Sequence, residues 1–190
     1  MPKLSDLAES ARRRQEVLSA FLFAWGKTKR NNEPVMTATR IQKEIFLLQM
    51  ETLYQREKVY EFVPLYYGPF SRDLALDIAT LTDNGATVED AEGIRLSPDG
   101  YKVALRIWGT LDEKHKKALI IIKENYNSIS VDRLLEHVYR KYPKFTTMSA
   151  LREDVVNAYF DGFWEREGLS AEYIVNAVRT SRSSRNESGR

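Results

Sequence analysis

The feature that most constrains the fold is a series of helix caps and helix breakers between residues 71 and 100. Ser71 can cap the start of a helix, and Asn84-Gly85 can end it, since glycine tolerates the left-handed conformation of a C-cap. Ser97-Pro98 opens another helix, with a capping hydroxyl followed by proline at the first helical position. The pattern predicts two helices with residues 86–96 between them.

Residues 86–96 are predicted to form a β-hairpin. Residues 87–88 and 94–96 have the composition of short strands, and residues 90–93 have that of a turn. Upstream of the first cap, residues 61–67 are rich in aromatic side chains and poor in helix formers. They indicate an extended segment that ends at Gly68-Pro69.

Helices are predicted on both sides of this region. A first helix is expected over residues 4–29, and Thr37 can cap a second one. Further helices are expected over 112–126 and 131–141, the latter capped by Ser130. Two more are expected within 149–182.

The order helix, helix, extended segment, helix, hairpin and helix is that of a winged helix. The predicted fold class is therefore mainly α, with a winged-helix-like core and additional N- and C-terminal helices; a helical bundle with an incidental hairpin is the alternative. The expected organisation is an N-terminal helix packing on the core, the core, a C-terminal helical extension and a disordered tail, over residues 1–36, 37–111, 112–180 and 181–190. The predicted shared core is Ile41, Ile45, Leu74, Ile78, Leu81, Ile94 and Leu96.

The composition excludes several classes of protein. There is no cysteine, so disulfides and thiolate zinc sites are excluded, and residues 1–16 lack the apolar core of a signal peptide. No apolar run approaches the roughly 20 residues that span a bilayer. We expect a cytoplasmic protein with no membrane partner.

Four stretches of the chain carry a family resemblance: residues 40–48, 62–71, 81–85 and 94–100. Together they resemble the YwgA-like proteins and the related Panacea domain, a bacterial and archaeal set that includes the SocA-type antitoxins. The most specific element is Tyr67-Gly68-Pro69-Phe70-Ser71. The resemblance covers roughly residues 37–145 and implies a non-enzymatic winged-helix-like module, which in some relatives neutralises a toxin protein.

The Tyr-Gly-Pro-Phe-Ser corner has two interpretations. Glycine and proline can set a tight bend with the aromatic rings packed beneath it, which is a structural role. The same corner could instead bind a partner, with Tyr66 or Phe70 as an exposed anchor.

Charge decides between DNA and protein as the partner of the winged-helix-like core. Residues 71–95, which would enter a DNA groove, contain two basic and six acidic residues. Because DNA binding depends on neutralising phosphates, this region is predicted to be repelled by DNA. We therefore expect an antitoxin- or adaptor-like module that binds a protein partner, such as a toxin or defence protein encoded nearby.

The candidate residues follow from these two hypotheses. The predicted partner-binding residues are Tyr66, Tyr67, Phe70, Arg72, Asp73 and Asp77. The alternative is a winged-helix transcriptional regulator, a homodimer in its usual form, whose DNA-binding candidates are Arg72, Arg95, Arg12, Arg13, Arg14, Lys27 and Lys29. The apolar side chains of 149–182 could pack on the first helix or form a dimer or partner interface.

No catalytic, cofactor or metal site is predicted. His115 and His137 lie on different predicted helices without a second ligand at metal-binding spacing. Pro98-Asp99 and residues 112–114 match the sequence pattern of a magnesium-dependent nuclease site. That site needs its residues on adjacent strands, whereas these residues are predicted to begin two different helices. We interpret that match as chance.

Overall fold

The computed structural model describes residues 4–65 and 67–145 of the 190-residue chain. Contacts divide the chain into two units, Met1–Ala150 and Leu151–Arg190, and all the described residues belong to the first. The helices predicted within 149–182 and the tail at 181–190 lie outside the described residues.

The described residues are mainly helical and carry a β-hairpin wing, which confirms the predicted fold class. The helices among them are α1 (Leu4–Phe23), α2 (Ala38–Glu51), α3 (Arg72–Asp83), α4 (Pro98–Thr110), α5 (Glu113–Tyr126) and α6 (Val131–Lys141), with short 3-10 helices at Leu53–Arg56 and Pro143–Phe145. The strands are β1 (Val63–Leu65), β2 (Gly68–Phe70), β3 (Thr87–Asp90) and β4 (Gly93–Leu96).

The predicted helix caps are confirmed. The hydroxyls of Ser71, Ser97 and Ser130 accept hydrogen bonds from backbone N–H groups in the first turns of α3, α4 and α6. Gly100 is required inside α4, because a Cβ at this position would lie 1.9 Å from the Ala86 carbonyl oxygen. The start of α4 therefore packs directly against the chain that leaves α3.

The wing is tied to the loop that follows α1. β3 and β4 pair antiparallel with Asp90 opposite Gly93, and Val35 adds an antiparallel bridge to Ile94. The side chain of Asn32 donates to the Leu96 carbonyl at 3.0 Å and accepts from the Leu96 N–H at 2.8 Å. This loop thus continues the wing sheet on the side of β4.

The predicted core is present, and it extends to the first helix. Six of the seven predicted core residues are buried, and Ile78 is partly buried against them. The core also includes apolar residues of α1 from Val17 to Phe23 and Ala24 directly after it, because α1 packs against α3, α4 and α5.

α1 is shorter than predicted, since it ends at Phe23 instead of continuing to Lys29. The end of α1 is bound by Lys123 of α5, whose side chain is fully buried and whose pKa is lowered to about 7 by that burial. Its ammonium donates to the carbonyl oxygens of Phe21 (3.4 Å), Leu22 (2.8 Å) and Ala24 (2.9 Å). A cation placed at the last carbonyls of a helix satisfies groups that lack intrahelical partners and stabilises the helix end.

α2 is the central helix. All nine residues from Arg40 to Leu48 are buried, polar and apolar alike, because α3, α5, α6, β2 and the 3-10 helix Leu53–Arg56 surround the helix. The sequence predicts one apolar stripe, and the structure covers the opposite face as well. A helix covered on all sides has to place its polar side chains on buried partners.

The buried polar groups of α2 bind mostly to backbone. The amide of Gln42 exchanges two hydrogen bonds of 2.9 Å with the backbone of Ser71, and the Lys43 ammonium donates to the Pro69 carbonyl at 2.9 Å. Burial lowers the pKa of Lys43 to about 7. Burial likewise raises the pKa of Glu44 to about 8, and neither Glu44 oxygen accepts a hydrogen bond from the described residues.

The segment 61–70 forms a small hairpin instead of a single extended strand. β1 and β2 pair antiparallel with Leu65 opposite Gly68, which has φ of +83°. A Cβ on Gly68 would lie 3.0 Å from the Tyr139 ring, so α6 covers this corner closely. The Tyr-Gly-Pro-Phe-Ser motif is therefore held between α2 and α6.

α5 and α6 pack on α1 and α2 as part of the same unit. Glu51, at the end of α2, accepts from Tyr126 (2.9 Å), His137 (3.1 Å), Lys141 (2.8 Å) and Tyr142 (3.2 Å). Burial would raise the pKa of Glu51, but the hydrogen bonds from Lys141, His137 and Tyr126 outweigh it and lower the pKa. The ionised carboxylate joins three helices.

Candidate functional site

The exposed side of α3 combines an apolar centre with acidic flanks. Leu76, in the middle of the helix, is 61% exposed, although leucine is usually buried. Arg72, Asp73 and Asp83 are exposed around it. A lone exposed leucine is ordinary on a protein surface, but this one lies on the helix that a winged helix presents to its partner.

The wing continues the acidic character. Glu89, Asp90 and Glu92 are exposed, and Val88 is 40% exposed. Arg95 lies between two of these carboxylates, at 2.6 Å from Asp90 and 3.3 Å from Glu92. The wing arginine is therefore already neutralised within the wing.

α3 and the wing touch through Thr82 and Thr87, whose hydroxyls are 3.0 Å apart. We define the α3–wing surface as the exposed side chains of these two elements together with the half-buried Arg95: Arg72, Asp73, Leu76, Asp83, Val88, Glu89, Asp90, Glu92 and Arg95. Two basic residues stand against five carboxylates on this surface.

Asp77 corrects one prediction. The sequence places it on the outward face of α3, but its residue is only 3% exposed. Its carboxylate accepts from Arg14 Nε at 3.1 Å and from the Tyr60 hydroxyl at 3.2 Å. Asp77 joins α3 to α1 in the interior and cannot contact a partner.

Two further partner-binding candidates have structural positions. Tyr67 is 8% exposed and belongs to the buried corner under α6. Phe70 is half-buried at the end of β2. Tyr66 lies outside the described residues. These positions support the structural interpretation of the Tyr-Gly-Pro-Phe-Ser motif. α2 and α6 cover the corner, so a partner protein has little access to it.

The N-terminal basic residues do not form a free cationic surface. Arg12 pairs with Glu16 (3.4 Å), and Arg13 pairs with Glu57 (2.5 Å). Arg14 turns inward to Asp77, with Asp73 at 3.7 Å. The arginines diverge around α1 because successive helical residues point in different directions.

The remaining DNA-binding candidates of this region lie in the loop after α1. Lys27 is exposed, and Lys29 pairs with Glu124 of α5. Among the described residues, most of the predicted cations thus already face a carboxylate. Their charge is correspondingly less available to phosphates.

Sequence reasoning missed the contacts of both histidines. His115 Nδ1 lies 2.8 Å from Asp112 and Nε2 lies 2.5 Å from Glu57, while His137 lies beside Glu51 and Tyr126. The spacing of Asp112 and His115 within the first turn of α5 could have revealed one of these contacts. The others join residues far apart in the chain.

Asp99 and Asp112 open α4 and α5, as the sequence predicts. Asp99 pairs with Lys102 at 2.9 Å, and Asp112 caps α5. In residues 4–65 and 67–145, no group of three or more His, Asp or Glu side chains is arranged to hold a metal ion. None of the helices in the same residues is both long and apolar enough to cross a membrane.

Comparisons of the chain with protein-family models, with curated proteins and with solved structures found no match. The resemblance of residues 37–145 to the YwgA-like and Panacea proteins stays a prediction.

Proposed function

We propose that this protein is a non-enzymatic interaction module whose α3–wing surface binds a protein partner, in the manner of an antitoxin or adaptor. The observation that carries the proposal is the composition of this surface, with an exposed leucine in the middle of α3 and five exposed carboxylates against two basic residues. The partner's complementary surface is basic, with an apolar pocket for Leu76.

Leu76 supports the proposal as an anchor. Interfaces derive most of their affinity from a few central side chains that become fully desolvated, surrounded by polar residues that exclude water. Leu76 projects from a rigid helix whose other side is fixed by Leu74 and Asp77 in the core. Such an anchor needs little ordering on binding, which favours affinity.

The same surface disfavours DNA recognition, which is the alternative. Double-stranded DNA carries one negative charge per about 1.7 Å of axis, so a binding surface gains affinity by neutralising phosphates. Arg95 is held by Asp90 and Glu92, which leaves Arg72 to oppose the remaining carboxylates. Even with Asp77 turned inward, acids outnumber bases.

The proposal is tested with the product of the adjacent gene, since antitoxins and adaptors are commonly encoded beside their targets. The two purified proteins are mixed, separated by size-exclusion chromatography and titrated by calorimetry. We compare the wild type with Leu76→Asp and with Leu105→Asp, a control on α4 where the leucine is 51% exposed.

The wild type and Leu105→Asp are expected to co-elute with the partner. Leu76→Asp is expected to lose about 30-fold or more in affinity, since central interface side chains contribute about 2 kcal/mol or more. A wild-type protein that elutes separately contradicts the proposal. Equal affinity of Leu76→Asp and the wild type contradicts the assignment of the α3–wing surface.

A further inference from the structure

A cavity of about 240 Å³ lies between α1, the 3-10 helix Leu53–Arg56 and the junction of α4 with α5, and none of its lining residues belongs to the α3–wing surface. Sites for drug-sized ligands have volumes of about 300–1,000 Å³. This cavity is therefore of a size for one fragment-sized molecule or a single long side chain.

The apolar part of the cavity comes from separate elements of the fold. Val17 (α1), Tyr54 (3-10 helix), Ile107 (α4) and Leu111 line it. Val17 and Tyr54 are 7% and 1% exposed, and the Tyr54 ring packs edge-on against His115 with centroids 5.1 Å apart. The apolar lining is thus anchored in the core rather than carried by a loop.

The polar part of the cavity contains more carboxylates than cations. Glu16, Glu57 and Asp112 line it together with Arg13 and His115. Both basic side chains are already bound by carboxylates: Arg13 lies 2.5 Å from Glu57, and His115 lies 2.5 Å from Glu57 and 2.8 Å from Asp112. An anionic ligand would have to displace one of these pairs.

Asp112 and Glu16 can accept further bonds. The hydrogen bonds that Asp112 accepts from Lys114 N, His115 N and His115 Nδ1 all go to Oδ1. The ion pair of Glu16 with Arg12 is 3.4 Å long and uses Oε1. Each carboxylate therefore has an oxygen outside these bonds, and ionised carboxylates prefer positively charged donors.

We propose that this cavity binds a small organic cation with an apolar body, of the alkyl- or arylguanidinium or amidinium class. The body packs on Val17, Ile107 and Leu111, and the cationic head donates to Glu16 and Asp112. A planar head with several N–H groups suits two carboxylates better than a point charge does. This proposal is independent of the partner at the α3–wing surface.

The same chemistry can come from two sources, a free small molecule or an arginine side chain of another protein. The full-length protein is titrated with benzamidine, which is protonated at neutral pH, and separately with an acetylated and amidated Gly-Arg-Gly peptide. Benzamide and benzoate are the neutral and anionic controls of matched shape. Binding is followed by two-dimensional NMR of the labelled protein.

Benzamidine is expected to bind about tenfold more tightly than benzamide, with benzoate weaker than both; that ratio corresponds to about 1.4 kcal/mol. Chemical shift changes are expected at Val17, Tyr54 and Ile107. Binding of benzamidine alone supports a free small molecule, and binding of the peptide alone supports an arginine side chain; binding of both supports the head group as the shared determinant.

A variant pair separates the cavity from general electrostatics. Glu16→Gln is expected to weaken benzamidine binding about threefold or more, whereas Glu9→Gln, an exposed site on the same helix, is expected to leave it unchanged. The proposal is overturned if benzamide binds as tightly as benzamidine, if neither cation binds, or if the shifts map away from Val17, Tyr54 and Ile107.

Discussion

α2 and α3 show opposite relations between sequence and environment. α2 buries Arg40, Gln42, Lys43 and Glu44, whereas α3 exposes a leucine at its centre. α2 is covered by five elements, whereas α3 is covered on one side only. The number of neighbours decides which side chains are buried, and the periodicity of a helix alone does not.

The difference also assigns roles to the two helices. Two of the polar side chains of α2 bind backbone groups of the corner before α3: Gln42 binds Ser71, and Lys43 binds the Pro69 carbonyl. They fix where α3 starts. The outer side of α3 is then not needed for packing within the fold. A rigid helix with one exposed side is suited to bind a partner.

The largest effect is expected at the buried polar interior. Lys123→Ala removes an ammonium that binds three carbonyls at the end of α1 and leaves a cavity. The free energy of unfolding should fall by about 3–5 kcal/mol, as for removal of a buried charged partner. Urea denaturation measures the loss, and exposed Lys117→Ala on the same helix should change it by less than about 0.5 kcal/mol.

A matched pair on α3 tests the division between its two sides. Leu74 is fully buried and Leu76 is 61% exposed. Leu74→Ala should lower the free energy of unfolding by about 2–4 kcal/mol, and Leu76→Ala by less than about 0.5 kcal/mol. Equal effects in thermal or urea denaturation would mean that α3 is covered on both sides.

The two acids of α3 should differ in the same way. Asp77→Ala removes the buried acceptor of the Arg14 guanidinium, while the Tyr60 hydroxyl keeps the Arg14 carbonyl oxygen at 3.0 Å as an acceptor. The substitution should cost about 2 kcal/mol. Asp73 is exposed and 3.7 Å from Arg14, so Asp73→Ala should cost no more than about 0.5 kcal/mol. If Asp77→Ala has the stability of the wild type, the buried position of Asp77 is contradicted, and the residue belongs to the outer surface of α3.

The smallest effect is a pH dependence at His115. Burial lowers its pKa, but hydrogen bonds with Glu57 and Asp112 outweigh this and raise the pKa above that of an unfolded histidine. The stabilisation is therefore complete below about pH 6.5. It is lost as the pH rises through the folded-state pKa.

We expect the difference in unfolding free energy between the wild type and His115→Gln to shrink between pH 6 and pH 9. Urea titrations of both proteins at each pH measure this difference, which removes contributions from other titrating groups. A difference that grows with pH would contradict the ion pairs of His115.

The sequence predicts the parts of this fold that depend on local chemistry. Ser71, Ser97 and Ser130 cap the predicted helices, and the wing forms at the predicted residues, because caps and turns need only neighbouring residues. The predicted core is also present in the structure. Apolar side chains at helical spacing can be recognised from the local sequence, without knowing which element they pack against.

What the sequence does not reveal depends on contacts between distant residues. Asp77 is bound in the interior by Arg14, which is 63 positions away, and Lys123 binds the last carbonyls of α1 from about 100 positions away. His115 meets Glu57 across 58 positions. From sequence alone, a charged residue without a known partner is assigned to the surface. For this reason the predicted partner-binding residues include Asp77, which the structure buries.

The most direct test of the central claim is a titration of labelled duplex DNA, carrying the protein's own promoter, at 50 and 200 mM salt. We expect fluorescence anisotropy to show at most non-specific binding, with a Kd weaker than about 10⁻⁵ M at 200 mM salt. Arg72→Ala should not change it. Specific binding that weakens about 1,000-fold between the two salt concentrations, and that Arg72→Ala abolishes, would show that the α3–wing surface binds DNA.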